Sequence, residues 1–119
     1  MMVETKGTRI LMDPWLNDPT YHGTWWHYPP LVLGVRDLPK IDYLYISHEH
    51  PDHFDPPTLR QLDKSIPVLI ANFRRKGFRD RLAAIGFQDI REIDFGTVVN
   101  LNGHGVTVRL VPPDRPWDD

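Results

Sequence analysis

The segment from Asp42 to Leu62 constrains this chain more than any other, because three structural signals meet in it. Asp42-Tyr43-Leu44-Tyr45-Ile46-Ser47 is rich in aromatic and β-branched residues and predicts a buried strand. It runs without a spacer into His48-Glu49-His50-Pro51-Asp52-His53-Phe54-Asp55. Asp55-Pro56-Pro57 then predicts a helix start over 55–62. Asp55 is a good N-cap, and proline is tolerated in the first turn, where its missing N–H would be unpaired anyway. Leu59 and Leu62 share one face of that helix. A strand end, a turn and a helix start therefore carry four ligand-type side chains in the spacing His-x-His-x-Asp-His.

That spacing suits metal. In extended backbone, residues i and i+2 point to the same side, so His48 and His50 can face one ion together. Pro51 keeps His50 out of helical geometry and holds that pair extended. Asp52 and His53 sit in the following turn and diverge towards a second point. Two such points a few ångströms apart are what a two-metal site requires, the ions being roughly 3.5–4 Å apart. Imidazole and carboxylate suit zinc first, with iron or manganese as alternatives. The sequence contains no cysteine, so thiolate sites and disulfides are excluded and nitrogen and oxygen must hold any metal. The competing reading is a polar strand-to-helix turn with solvated histidines. Four ligand-type residues in this register, at the C-terminal end of a buried strand where sites usually form in α/β sheets, outweigh it. Glu49, between the two histidines, should point away and be structural.

The rest of the chain supplies an α/β framework. Thr8 to Met12 reads as a short strand that stops at Asp13-Pro14. Residues 13–40 show neither a helical nor a strand period and hold Trp15, Tyr21, Trp25, Trp26 and Tyr28; two readings stand, a functional loop whose Trp25 and Trp26 stack on a sugar or base, and aromatics that fold back as a lid over the core. Pro67 to Ala71 is a second buried strand. Phe78 to Ile85 is an amphipathic helix with Gly86 as C-cap. Ile90 to Ile93 is a strand, and Val98 to Leu101 with Val106 to Val111 reads as a hairpin around Asn102-Gly103-His104-Gly105. Alternating strands and helices predict an α/β layered domain. At 119 residues there is one domain at most, and a net charge of −2 argues for neither nucleic acid nor membrane. The basic run Arg74–Arg81 fits a solvated helix face better than an RNA-binding one. His22, His27 and His104 fit exposed loop positions.

The central stretch resembles the signature of the metallo-β-lactamase superfamily. Within it, the similarity is greatest to the branch of CMP-sialic acid hydroxylase-like and L-ascorbate-6-phosphate lactonase-like proteins. It is carried by Asp13-Pro14-Trp15-Leu16, Gly23-Thr24-Trp25-Trp26, Pro29-Pro30 and Asp42 to His48, and covers residues 7 to 65 well. The resemblance implies an αβ/βα sandwich with residues 1–119 as its N-terminal half, a partial metal-binding domain. It implies His48 and His50 as ligands of a first metal and Asp52 and His53 of a second. It also implies Asp13 close behind them and Asp52 as the catalytic carboxylate.

Intact members of that superfamily run to roughly twice this length in two similar halves. The family's opening strand has no expected counterpart before Thr8. A third first-metal histidine should follow a strand like Val106 to Val111, where Pro112-Pro113-Asp114 stand instead; Asp114 is the candidate substitute. The implied function is a metal-dependent hydrolase that uses metal-activated hydroxide on an ester, lactone or phosphodiester-type substrate. The alternatives are a di-iron, oxygen-using hydroxylase-like enzyme and a non-catalytic metal-binding fragment. The expected cofactors are two divalent metal ions. The expected partners are a small-molecule substrate, phosphorylated or sugar-containing, and either a second copy or a C-terminal half that covers an otherwise bare apolar sheet face. The expected location is cytoplasmic.

Overall fold

The computed structural model describes residues 1–101, 103 and 105–113. Among these residues seven strands and two α-helices follow one another as β1 (Met2–Thr5), β2 (Thr8–Met12), β3 (Tyr43–Tyr45), α1 (Pro56–Arg60), β4 (Val68–Ala71), α2 (Gly77–Ile85), β5 (Ile90–Ile93), β6 (Val98–Asn100) and β7 (Thr107–Arg109). Strands β1 to β5 form one sheet in sequence order, and β6 pairs with β7 in a separate hairpin. Strands β2 to β5 are parallel, while β1 is antiparallel to β2. The α/β reading holds, and β2 and β5 span the expected residues.

β1 corrects the expectation that no strand precedes Thr8. Met2 to Thr5 pairs with β2 across a two-residue turn in which Lys6 (φ 47°) and Gly7 (φ 73°) are both left-handed. That is the backbone of a primed hairpin turn, whose twist suits the flanking strands.

Alternation along the parallel strands sorts their side chains onto two faces. Leu11, Leu44, Ile46, Val68 and Ile70 meet the helical layer through Leu59, Phe78, Leu82 and Phe87. Ile10, Tyr43, Leu69, Ala71 and Ile93 meet Leu101, Val106 and Leu110 on the other face. The Tyr43 hydroxyl donates to the Leu101 carbonyl at 2.6 Å in a buried bond and pins the hairpin region to the sheet. The expected bare sheet face is therefore covered. At about 1.5–3 kcal/mol for each large apolar side chain removed from water, that covering is a substantial part of the core.

Both helix ends follow local chemistry. Asp55 accepts from the Thr58 amide and, at 2.6 Å, from the Thr58 hydroxyl, both buried. Gly86 closes α2 at φ 120°. The Thr58 hydroxyl also accepts from the Leu16 amide at 2.9 Å, so the cap of α1 anchors the segment that follows β2. Three aromatics of the segment 13–40 do not fold onto the core, Trp25, Trp26 and Tyr28 being 49%, 64% and 96% exposed, whereas its Val35 and Leu38 do pack against it. The segment's polar groups bond to the turn around residues 51–58, and this draws it over the histidine cluster. Among the described residues no helix is long and apolar enough to cross a membrane.

The cap makes a measurable demand. Asp55→Ala removes a helix cap and strands the buried Thr58 hydroxyl. It is expected to cost about 2–3 kcal/mol in urea unfolding with an unchanged m-value, whereas Asp55→Asn, which keeps an acceptor oxygen, costs under half as much.

Candidate metal centre

The cluster is assembled from the ends of two neighbouring parallel strands. β2 pairs with β3 in a register that sets Met12 opposite Tyr45. The Asp13 amide then extends the ladder by donating to the Tyr45 carbonyl at 2.9 Å. Asp13 turns left-handed at φ 45°, a conformation that aspartate tolerates better than most residues. Its carboxylate accepts from the Ser47 amide at 2.7 Å, the Ser47 hydroxyl at 2.7 Å and the His53 Nδ1 position at 2.9 Å.

These contacts fix the protons on two rings. A carboxylate can only accept, so His53 carries its proton on Nδ1 and turns the Nε2 lone pair outwards. The Ser47 hydroxyl spends its hydrogen on Asp13 and so accepts from His48 Nδ1 at 2.8 Å, which leaves the His48 Nε2 lone pair outwards as well. One carboxylate thus orients both rings, directly and through a serine. Burial, reinforced by the neighbouring His53 and His50, lowers the His48 pKa and favours the neutral, ligand-competent ring.

The outward-facing atoms come together in two pairs. His48 Nε2 lies 3.0 Å from His50 Nδ1. His53 Nε2 lies 3.4 Å from Asp52 Oδ2. Two donors on one tetrahedral zinc, each at about 2.0–2.1 Å, are separated by about 3.3–3.4 Å. Both observed distances lie close to that value. The His48 and His53 rings are 4.2 Å apart, so the two pairs adjoin. Among the described residues, however, no group of three or more His, Asp or Glu side chains converges to hold a metal ion. The structure thus brings His48, His50, Asp52, His53 and Asp13 into one cluster, with two donors at each point rather than a closed coordination sphere. Asp114 and His104 lie outside the described residues.

Tyr21 was not legible as a site residue. Its hydroxyl donates to Asp52 Oδ1 at 2.8 Å and leaves Oδ2 facing His53. Burial works to raise the Asp52 pKa, but the Tyr21 bond and the charge of His53 outweigh it, and the carboxyl titrates below its ordinary range. The same bond raises the Tyr21 phenol. Tyr21 and His22 are both left-handed, at φ 50° and 56°. That turn is held by the Thr20–Trp25 bridge, the Trp25 ring 4.2 Å from Tyr21, and the Thr20 hydroxyl donating to the Pro51 carbonyl at 3.3 Å. A contact across thirty-one positions leaves no spacing signal in the sequence.

The other polar candidates are structural. Glu49 pairs with Arg81 at 2.7 Å. His27 is held by Asp18 at 2.6 Å and lies against the Trp15 ring at 3.7 Å, while His22 is exposed. A cavity of about 560 Å³ opens beside His48 and His50, with walls from Tyr45, Phe73, Phe78 and Phe95 and with Arg75 on its lining.

The paired side chains lie at the C-terminal ends of parallel strands, where sites form in α/β sheets. The family described as a beta-lactamase superfamily domain matches residues 8–116, and the chain belongs to it. It is 39% identical over 126 aligned positions to a Mycobacterium tuberculosis protein named as a candidate Rieske 2Fe-2S iron-sulfur protein, covering 99% of this chain and 24% of that one. It is 35% identical over 110 positions to the cytidine monophosphate-N-acetylneuraminic acid hydroxylase of Danio rerio, covering 87% of this chain and 18% of that one. The fold matches a possible metal-dependent hydrolase from Veillonella parvula with a TM-score of 0.66 and 24% identity, over 86% of this chain and 41% of that one. The chain thus spans about a quarter or less of the curated relatives named here.

The proton assignment can be tested without metal. Long-range ¹⁵N–¹H correlation spectra of the metal-free protein are expected to show His48 and His53 as Nδ1–H tautomers. Asp13→Ala should abolish that preference at His53 and weaken it at His48, and unchanged spectra would refute the assignment.

Proposed function

We propose that this chain carries the ligand-bearing part of a dinuclear metal centre in a metal-dependent hydrolase. The observation that supports this is the approach of His48 Nε2 to His50 Nδ1 at 3.0 Å and of His53 Nε2 to Asp52 Oδ2 at 3.4 Å, each close to the separation of two donors on one ion. In this reading His48 and His50 hold one divalent ion and Asp52 and His53 hold the other. Zinc is the first candidate and iron or manganese the alternatives, because the donors are imidazole and carboxylate only. When bound, such ions supply Lewis acidity and lower the pKa of water to near neutrality.

The residues do the rest. Asp13 and Ser47 keep protons on the far side of the two rings, so the lone pairs stay available. Tyr21 occupies Asp52 Oδ1 and fixes the carboxylate plane. Asp52 retains a further lone pair on each oxygen with which to orient an attacking water. The apolar walls beside His48 and His50 exclude bulk solvent from the scissile carbonyl or phosphoryl group of an ester, lactone or phosphodiester-type substrate. Among the described residues two donors face each point, and in this reading further donors, Asp114 or groups from a partner copy, complete each ion's sphere.

A second reading is a di-iron, oxygen-using enzyme, favoured by the 35% identity to a protein named as a hydroxylase. Iron content and visible absorption of protein purified without added metal separate the two.

The assignment is tested by metal analysis of purified protein beside the double variant His48→Ala, His50→Ala. The double variant is expected to lose at least half of the bound metal, and equal content would refute the site. Tyr21→Phe is expected to weaken the second ion by roughly 10–100-fold in competitive chelator titrations and to leave the first ion's affinity unchanged.

A further inference from the structure

The cavity beside His48 and His50 has an unbalanced charge. The run from Arg74 to Arg81 carries five cations, and the fold gives four of them a partner. Lys76 and Arg79 both bond the Glu92 carboxylate. Arg81 pairs with Glu49, the one carboxylate on the cavity's lining. Arg74 has a partner as well. Arg75 differs: it lines the cavity, is exposed, and among the described residues has neither an ion pair nor a hydrogen bond. A chain of net charge −2 thus leaves an unpaired guanidinium on the wall of the cleft that holds the histidine pair.

The chemistry of the walls defines what fits. Phe73, Phe78 and Phe95 offer apolar surface, and a cavity of about 560 Å³ is in the range that holds a small organic molecule. A guanidinium presents a planar fork of donors that matches a carboxylate or phosphate bidentately. We propose that this cleft takes a small organic oxyanion with an apolar body, its carboxylate or phosphate held by Arg75. Arg75 is then the residue that selects acids over neutral analogues. That the substrate is cleaved at the His48–His50 end rests on the metallo-hydrolase reading; that the cleft binds such an anion does not.

Calorimetric titration of the full 119-residue chain, first metal-free and then zinc-loaded, tests this. The probes are phenylphosphonate, phenylacetate and neutral benzyl alcohol. The metal-free protein is expected to bind at least one of the two anions about tenfold or more tightly than benzyl alcohol; which anion binds tighter tells phosphate from carboxylate specificity. Arg75→Gln should lose about tenfold for the preferred anion, Arg75→Lys should retain part of it, and Arg79→Gln, whose cation lies on Glu92, should bind like the unmodified chain. Equal affinity in Arg75→Gln, or no preference for anions over benzyl alcohol, overturns the proposal. If the chain takes up zinc but Arg75→Gln binds the anions unchanged, the anion site falls while the metal reading stands. Arg75-dependent binding in a protein that takes up no zinc supports the anion site and refutes the metal reading alone.

Discussion

The Asp13 carboxylate is the group on which the rest of the cluster depends. It accepts from the Ser47 amide, the Ser47 hydroxyl and the His53 ring, and through Ser47 it sets the His48 ring. It thereby joins the strand end that launches the histidines to the turn that carries the last of them. Its position is a consequence of sheet register: Met12 opposite Tyr45 brings the next residue of β2 beside the end of β3. A slip of one residue would turn the carboxylate to the other face, because strand side chains alternate. Hydrophobic alternation that buries Leu11 on one face and Ile10 on the other therefore also aims Asp13.

Strain is concentrated where the cluster is built. Among the described residues four non-glycine positions are left-handed, and three of them, Asp13, Tyr21 and His22, lie in the segment that follows β2. Each costs about 1–2 kcal/mol relative to ordinary backbone. The return is chemical: Asp13 reaches back to Ser47 and His53, and Tyr21 reaches Asp52. The fourth, Lys6, belongs to a hairpin turn that needs that geometry. The Trp25 and Trp26 rings stay largely in solvent, while the segment's hydrogen bonds run to the turn around residues 51–58.

Membership of the beta-lactamase superfamily sets the chemical frame, and the details decide how far this chain fills it. The donor pairs supply two groups at each point, and the adjoining cleft adds apolar walls and a guanidinium. The two share Ser47, His48 and His50, which line the cleft, while its remaining wall comes from β4, α2 and the segment leading to β6.

By itself the sequence determined whatever depends on near neighbours. The His-x-His-x-Asp-His spacing, the Asp55-Pro56-Pro57 helix start, the Gly86 stop and the alternating apolar runs are local, and the elements they predict formed. The likeness of the early Asp13 strand to known relatives was also enough to put Asp13 near the histidines. β1 escaped notice because four short residues and a Lys-Gly turn carry little pattern on their own. Only the tertiary structure decided that Tyr21 meets Asp52, that the hairpin around β6 and β7 covers the second sheet face, and that Arg75 alone of its run stays unpaired on the cleft. Each of these joins residues far apart in the chain. Such contacts are set by strand order and packing, and no spacing rule along the sequence records them.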